Sequence, residues 1–207
     1  RVGENAGETF EISAVCNNNN YSATVQNGTL TVVKRAISVK ATAKTVVYGE
    51  AAPETYDFDV LSGSVYGTDD LGLTFAAKTY YTGASVGAYD VTGTATNGNY
   101  DVTVEKGTLT VTARKITVKA EDKTAEYGSA APSLSYSLVS GSVYGTDDLG
   151  FTAKTSYAVG DKAAEYEVTV EFSENVNYDV TVQSGTLTVT PKEITVSRTV
   201  IVAQSGN

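Results

Sequence analysis

One pattern occurs three times in the chain and constrains its fold more than any other feature. The copies are YSATVQNGTLTV at residues 21–32, YDVTVEKGTLTV at residues 100–111 and YDVTVQSGTLTV at residues 178–189. In each copy, two runs of alternating polar and apolar residues flank a two-residue segment, Asn-Gly, Lys-Gly or Ser-Gly. This arrangement is typical of a tight β-hairpin whose glycine takes a positive φ angle. We therefore predict three hairpins.

The predicted pairing across each turn also assigns an inward and an outward face. With the second turn centred on Gly107, Val104 lies opposite Leu109. Val102 then lies opposite Val111 on the same face, while threonine and aspartate occupy the other face. A slip of one residue would turn the apolar side chains outward, so the register is strongly specified.

Longer units surround this pattern. Tyr48 and Pro53 of one unit recur as Tyr127 and Pro132 of the next. We predict a partial unit at residues 1–34, full units at 35–113 and 114–191, and a further unit or terminal extension at 192–207. Because residues 1–34 match only the second half of a unit, we expect the chain to be a piece of a longer polypeptide.

The composition and periodicity of the full units predict an all-β fold. Valine, threonine and tyrosine, which suit a pleated and half-buried surface, are abundant in both. In the second full unit, alternation predicts strands at residues 116–120, 124–127, 134–139, 151–157, 166–172, 178–182 and 186–189. Residues 68–71 of the first full unit are predicted to form a single helical turn. We expect β-sandwich or β-grasp-like modules.

The junctions between units change the parity of the inward positions. Leu109 and Val111 are odd-numbered, whereas Ile116 and Val118 are even-numbered, so the backbone must twist or bulge between them. Only two or three residues are available for this change. Short junctions of this kind favour modules arranged end to end as an elongated, semi-rigid rod.

The composition also limits the chemistry and the partners of the chain. It has no histidine and one cysteine, Cys16, which excludes Ser-His, Cys-His and His-metal arrangements and any disulfide within the chain. We therefore expect no enzyme activity, no catalytic residue and no cofactor. A formal net charge of -9 without a basic cluster disfavours nucleic acid. No apolar run reaches the length of a membrane span, so we expect no membrane insertion.

Five short motifs follow one another in each full unit. In the first full unit they are Tyr48-Gly49 with Pro53, and the segments 63–71, 87–91, 99–104 and 107–111. This order resembles the MBG repeat of the YGX type, which occurs in tandem in large bacterial surface and secreted proteins. The second unit departs from it by having Ala164-Glu165 in place of the glycine before Tyr166. The resemblance implies an extracellular, cell-surface or secreted, adhesin-like setting, and it supplies no catalytic residue.

The loop SGSVYGTDDLG, at residues 62–72 and 140–150, is the longest identity between the two full units. Its side chains suggest two kinds of ligand, calcium and a sugar ring. The candidate calcium ligands are Asp69, Asp70, Asp147 and Asp148, and the candidate sugar-stacking residues are Tyr66 and Tyr144. Adjacent aspartates alone do not supply the roughly six or more oxygen atoms that calcium takes. The alternative is a structural capped turn, with Gly63 and Gly67 at special φ angles.

The chain has 14 tyrosines and no tryptophan. Most tyrosines recur at matched positions on the inward face, where the ring packs and the hydroxyl reaches solvent. We predict that Tyr48, Tyr89, Tyr100 and their equivalents belong to the core. Tyr81 has no counterpart in the next unit and is predicted to be exposed.

Three functions fit these features. The first is a non-catalytic stalk and interaction segment that spaces a binding head from a bacterial surface or supports adhesion, with neighbouring repeats and a host protein or glycan as partners. The second is a carbohydrate- or mucin-binding module that uses the loop tyrosines and aspartates. The third, a hydrolase with paired acids, requires a cleft with two carboxylates.

Two further expectations concern single segments of the chain. The partial unit is expected to be less stable than the full ones unless its edges find a partner, for which residues 198–203 of the same or another molecule are a candidate. A surface stalk can also carry a lysine-asparagine crosslink, for which Lys40, Lys119, Asn99 and Asn177 recur at matched positions.

Overall fold

The computed structural model describes residues 3–199, which form sixteen β-strands and no helix. The predicted all-β fold is confirmed. The chain divides into two compact units, Arg1–Thr112 and Ala113–Asn207. Across residues 3–199, no helix has the length and apolar character needed to span a membrane.

The partial unit at the start of the chain contains one small sheet. Strands β1 (Thr9–Ile12) and β2 (Gly28–Thr31) pair antiparallel, with Phe10 opposite Leu30. Residues 13–27 between them form no strand. A two-stranded sheet cannot cover its own apolar side chains, so this segment keeps much of its apolar surface exposed.

The first full unit contains seven strands in two sheets. They are β3 (Arg35–Ala41), β4 (Lys44–Val47), β5 (Phe58–Ser62), β6 (Thr74–Ala76), β7 (Gly87–Thr94), β8 (Tyr100–Glu105) and β9 (Gly107–Thr112). One sheet has the order β5-β3-β8 and the other has the order β4-β9-β7-β6. The pairs β3–β8 and β4–β9 are parallel. Because β3 and β4 come from the first half of the unit and β8 and β9 from the second, parallel pairing joins the two halves.

The second full unit repeats this arrangement. Its strands are β10 (Arg114–Ala120), β11 (Lys123–Glu126), β12 (Tyr136–Ser140), β13 (Thr152–Thr155), β14 (Glu165–Glu171), β15 (Tyr178–Gln183) and β16 (Gly185–Thr190). The sheets have the orders β12-β10-β15 and β11-β16-β14-β13. All seven strands predicted for this unit are confirmed, with small shifts at their ends.

The three predicted hairpins are wrong. Strands β8 and β9 lie in different sheets and do not pair with each other, and the same holds for β15 and β16. A single residue, Lys106 or Ser184, separates the two strands, and the chain crosses there from one sheet to the other. In the first copy, residues 21–27 form no strand at all. The alternation of the pattern therefore marks two strands with different partners.

The glycine in the repeated pattern is needed for close packing rather than for a turn. Gly107 and Gly185 are not among the glycines with positive φ. A Cβ atom on Gly107 would lie 2.6 Å from the carbonyl oxygen of Ala41, and one on Gly185 would lie 2.5 Å from that of Ala120. Glycine is therefore required because the end of β3 or β10 passes directly over it.

The core of each full unit lies between its two sheets. In the second unit, one cluster of buried residues comes from β10, β14, β16 and the loop after β13: Val118, Ala120, Tyr157, Val168, Val170, Leu187 and Val189. The predicted inward stripe is confirmed, since Leu109 and Val111 are buried while Thr112 is exposed. The predicted change of parity is also confirmed, because the next buried residues are Ile116 and Val118.

Strands β5 and β12 are only partly covered. Phe58 and Tyr136 contact rings of the facing sheet or its flanking segments, since their centroids lie 6.3 Å from Phe75 and 5.6 Å from Phe151. Both nevertheless remain partly exposed. Each strand is at the edge of a three-stranded sheet, so only one neighbouring strand shields it.

The start of the predicted further unit falls partly within the described residues. Residues 191–199 form no strand, and Ile194 and Val196 are exposed. The predicted partner segment at residues 198–203 lies, from residue 200 onward, outside the described residues.

Candidate functional site

The repeated loop that follows β5 and β12 has the same backbone in both full units. Gly63, Gly67 and Gly72 have φ angles of 78°, 56° and 61°, and the equivalent glycines of the second unit have 77°, 58° and 60°. A Cβ atom on Gly63 would also lie 2.4 Å from the carbonyl oxygen of Ala36. The special φ angles predicted at Gly63 and Gly67 are confirmed, and any side chain at Gly63 would be both strained and blocked.

A buried tyrosine from β8 holds the start of this loop. The Tyr100 hydroxyl accepts a hydrogen bond from the Tyr66 amide over 2.9 Å and donates one to Asp69 Oδ2 over 2.8 Å. In the second unit the Tyr178 hydroxyl makes the same two bonds, over 2.8 and 2.6 Å. The first aspartate of the loop therefore orients a core tyrosine.

The second aspartate closes the end of the loop. Asp70 Oδ1 accepts a hydrogen bond from the Gly72 amide over 2.8 Å, and Asp148 makes the same bond at the same distance. Leu71, between Asp70 and Gly72, is buried against Ile37 of β3. The loop is thus fixed by an Asx turn on one side and by an apolar anchor on the other.

Residues 68–71 do not form the predicted helical turn. The Asp69 amide donates to the Tyr66 carbonyl over 3.1 Å, which closes a turn around Gly67. Residues 69–71 form neither a helix nor a turn. Threonine and aspartate favour turns as well as helix N-termini, so their presence did not distinguish the two.

In the first unit, the partial unit lies against the residue that precedes Tyr100. Asn99 Oδ1 accepts a hydrogen bond from the Ala6 amide over 2.9 Å, and Asn99 Nδ2 donates one to Asn5 Oδ1 over 3.1 Å. We call this contact the seam. The Asn99 amide in turn donates to Asn97 Oδ1 over 3.0 Å, which fixes the turn that presents Asn99.

A groove of about 490 Å³ runs along the seam. Residues 3–6 and 32–33 of the partial unit line one side, and Tyr66, Asp69 and Tyr100 are among the residues that line the other. The loop that is identical in both full units is therefore, in the first unit, the surface beside which the preceding segment packs.

The two full units match one known family. Residues 37–110 and 116–188 each match the family described as MBG domain (YGX type). The chain belongs to this MBG family. No curated protein matches the chain. The resemblance drawn from the five motifs is confirmed, and the two full units are MBG repeats in tandem.

The four aspartates predicted as calcium ligands take part in hydrogen bonds of the MBG loop itself. In both repeats the first aspartate accepts from a tyrosine hydroxyl and the second accepts from a glycine amide. Across residues 3–199, no group of three or more acidic, cysteine or histidine side chains is arranged to hold a metal ion. Calcium binding by these aspartates therefore stays a prediction from the sequence.

The two tyrosines predicted to bind a sugar ring have different surroundings. The Tyr66 ring is exposed at the seam groove, and the Arg35 guanidinium lies over it, 5.9 Å from the ring centroid. Arg35 Nη1 also donates to Ser64 Oγ over 2.9 Å, which keeps the guanidinium in this position. Tyr144 is half-buried. The cation covers one face of the Tyr66 ring, so a ligand could stack only on the other face.

The remaining tyrosines follow the predicted division with two exceptions. Tyr48, Tyr100 and Tyr178 are buried, Tyr89 and Tyr166 are half-buried, and Tyr81 is exposed. Tyr127, the equivalent of Tyr48, is 43% exposed, and Tyr21, the equivalent of Tyr100, is 73% exposed, so the prediction of these two as core residues is wrong. Matched position in the repeat therefore did not guarantee equal burial.

In each repeat, two further tyrosines at matched positions pack against each other. Tyr80 and Tyr89 meet edge to face with centroids 5.4 Å apart, and Tyr157 and Tyr166 do so at 5.2 Å. The sequence pattern did not place these rings together, because Tyr80 and Tyr157 lie in the loops after β6 and β13, whose course alternation does not predict. Burial raises the pKa of Tyr166, with smaller contributions from Asp161 and Tyr157.

The residues predicted for a lysine-asparagine crosslink do not meet in the first MBG repeat. Lys40 pairs with Glu105 at the end of β8, whereas Asn99 precedes the start of that strand. Asn99 instead forms the seam, a role that sequence reasoning missed. The available signal was the recurrence of asparagine directly before the tyrosine that holds the loop, at Asn99 and Asn177.

Proposed function

We propose that the chain is a non-catalytic spacer and interaction segment of a bacterial surface or secreted protein, in which MBG repeats are joined in series. The seam carries this proposal. There, one asparagine of a full repeat binds both the main chain at Ala6 and the side chain of Asn5 in the preceding segment. A spacer needs contacts of this kind, because they limit bending between consecutive repeats.

The short connections between consecutive repeats support the same function. Three residues separate β2 of the partial repeat from β3, and Ala113 alone separates β9 from β10. A connection of one to three residues has few rotatable bonds, so it gives the flanking repeats little freedom. We propose an elongated, semi-rigid rod of repeats placed end to end.

The side-chain chemistry supports a role without catalysis or a cofactor. The chain has no histidine to act as a general base near neutral pH. The paired carboxylates of the repeated loop serve its own hydrogen bonds rather than facing each other across a cleft. The family resemblance favours an extracellular location, and the net charge of -9 disfavours nucleic acid as a partner. Neighbouring repeats are the main partners, and a host protein or glycan is a further one.

Small-angle X-ray scattering of the 207-residue chain, coupled to gel filtration, tests the rod. A compact globule of this length has a radius of gyration of about 17 Å. We expect a value at least about one and a half times larger, with a pair-distance distribution that has a long tail. A symmetric distribution with the compact radius would contradict the spacer function.

Glycan binding is the second candidate function, and the seam groove favours it. Tyr66 is exposed at this groove, and Asp69 lines the groove beside it. We expect a glycan array to show binding that is lost in Tyr66→Ala, with Tyr81→Ala as the control for another exposed tyrosine. No binding at high protein concentration would exclude this function.

A further inference from the structure

The outer face of the larger sheet of the second repeat contains a cavity that neither proposed function uses. Its volume of about 470 Å³ is within the range of small-molecule sites. The lining residues are Asp122, Lys123, Thr124, Pro132, Glu165, Thr186 and Thr188. All of them lie within residues 116–188, the span that matches the MBG family, so a single repeat builds the whole cavity.

The strand register places three of these side chains in one row across the sheet. Thr124 of β11 and Glu165 of β14 both pair with Thr188 of β16. The row points outward, because the neighbouring residues Ala125 and Leu187 pack in the core. Neighbouring strands lie roughly 4.7–4.9 Å apart. The row therefore offers two hydroxyl groups and one carboxylate to a single ligand.

A fixed carboxylate lies next to this row. Thr186 precedes Thr188 by two residues on β16, so its side chain is on the same face, roughly 6.7 Å away. The Thr186 amide donates a hydrogen bond to Asp122 Oδ1 over 2.8 Å. This bond orients the Asp122 carboxylate and leaves its Oδ2 without a partner among the described residues.

The fold does not need either acidic residue of the cavity. With the residues that the structure describes, Glu165 forms neither a hydrogen bond nor an ion pair. The first repeat has Ala43 and Ala88 at the positions of Asp122 and Glu165 and forms the same strands. The other five lining residues are the same in both repeats. The two acids thus distinguish otherwise matched surfaces, which favours a role in binding.

The chemistry of the lining favours an uncharged ligand with several hydroxyl groups. The threonine hydroxyls both donate and accept hydrogen bonds, whereas the carboxylates only accept them. The carboxylates disfavour an anion, and two of them beside Lys123 supply too few oxygen ligands for calcium. A sugar ring carries adjacent hydroxyl groups that match both kinds of partner, and Pro132 can contact its apolar C–H groups.

We propose that this cavity binds one unit of a neutral carbohydrate. Asp122 and Glu165 accept hydrogen bonds from sugar hydroxyls on opposite sides of the ring, and the threonines between them donate to or accept from the remaining hydroxyls. The site is separate from the seam groove and does not involve Tyr66. It adds a ligand to the spacer function and does not require that function.

Variants of the full 207-residue chain remove the site. Asp122→Ala with Glu165→Ala gives the second repeat the residues of the first. Glu165→Ala alone has no contact within the chain to lose, so it keeps the folded repeat. Glu174→Ala with Asp179→Ala is the control, since it removes the same charge from two exposed positions of the second repeat outside the cavity.

A reciprocal variant transfers the site to the first repeat. Ala43→Asp with Ala88→Glu supplies the two missing carboxylates, and both alanines are exposed. The remaining lining residues are already present there. We expect this variant to bind the same sugar in both repeats.

Nuclear magnetic resonance of the isotope-labelled chain gives the readout, with the methyl glycosides of glucose, galactose, mannose and N-acetylglucosamine as probes. We expect at least one of them to shift the amide signals of Thr124, Thr186 and Thr188, with a dissociation constant on the order of 1–10 mM because a small open site makes few contacts. The control binds equally well. Both variants that lack Glu165 bind at least about tenfold more weakly. The reciprocal variant additionally shifts the amides of Thr108 and Thr110.

Three results would overturn the proposal. The first is the absence of shifts at these amides with every probe up to its solubility limit. The second is sugar binding that is equally strong without Asp122 and Glu165, or that shifts only residues of the seam groove. The third is a response at these amides to calcium chloride or to a lysine-rich peptide but to no sugar, which indicates that the carboxylates bind a cation.

Discussion

The partial repeat and the first full repeat contain the same pattern, but only the full repeat buries it. Leu30 and Leu109 each lie in an antiparallel pair, opposite Phe10 and Tyr89, yet Leu30 is 50% exposed and Leu109 is fully buried. The full repeat additionally has β3 and β4, which pair in parallel with the two strands of the pattern. The pattern therefore becomes a core only when a strand distant in sequence joins it.

Replacing the two equivalent leucines tests this comparison with the largest expected effect. Leu109→Ala creates a cavity in a closed core, so we expect it to lower the free energy of unfolding of the first unit by about 2–5 kcal/mol. Leu30→Ala removes a half-exposed side chain, and we expect a cost below about 1 kcal/mol. Native-state hydrogen exchange of the β9 and β2 amides measures the two values. Equal costs would contradict the comparison, and Leu187→Ala, which opens a cavity in the core of the second unit, is the control.

The two equivalent glycines give the next largest effect. Gly107→Ala forces a methyl group against the backbone of Ala41, so we expect a loss of about 1–3 kcal/mol in the first unit. Gly28→Ala meets no such obstacle, and we expect no loss, or a gain of up to about 1 kcal/mol from the unfolded state. Urea unfolding of both variants distinguishes these outcomes. A loss in Gly28→Ala as large as in Gly107→Ala would show that the space beside Gly28 is filled.

Replacing the tyrosine that begins each pattern has an expected effect on stability of similar or smaller size. Tyr100→Phe leaves the Tyr66 amide and Asp69 without their shared partner, so we expect a loss of about 1–3 kcal/mol and faster exchange in the loop. Tyr21→Phe alters an exposed side chain and should be neutral. Tyr56→Phe is the control within the same repeat, because the Tyr56 hydroxyl is buried without a hydrogen-bond partner. We expect that variant to be neutral or slightly more stable, and an equal loss in it would assign the effect of Tyr100→Phe to packing alone.

Replacing Asn99 at the seam between the two regions has the smallest expected effect on stability. Asn99→Ala removes both hydrogen bonds to residues 5–6, and we expect a local loss of about 0.5–1.5 kcal/mol. Faster exchange of the Ala6 amide, with unchanged exchange in β9, is the expected result. Asn17→Ala, an exposed asparagine of the partial repeat, is the control. Unchanged exchange at Ala6 would show that Asn99 does not hold the partial repeat.

The sequence predicted the strands and their faces but not their partners. Alternation along residues 100–111 correctly marked Tyr100, Leu109 and Val111 as inward, because side-chain direction depends on local geometry. Alternation could not distinguish a hairpin turn at Lys106 from a crossing between two sheets, because both need only a short polar connection between the strands. The strand that pairs with β8 is β3, which begins at Arg35 and is therefore distant from β8 in the sequence.

The sequence predicted the backbone conformation of the repeated loop but not its side-chain contacts. The spacing of Gly63 and Gly67 indicated positive φ angles, since glycine is the residue that adopts them without strain. The bond between Asp69 and Tyr100 depends on how β8 lies relative to the loop, which no local pattern contains. The role of Asn99 depends on the preceding segment in the same way.

The parallel pairing of β3 with β8 determines how a full repeat responds to mechanical load. When the chain is pulled at Arg35 and Thr112, β3 is drawn along its own axis past β8, so the six register pairs between them bear the force together. A strand peeled from its edge instead loses its hydrogen bonds one at a time. An MBG repeat that is pulled at these two positions is therefore loaded in shear, in which the hydrogen bonds between β3 and β8 must break together.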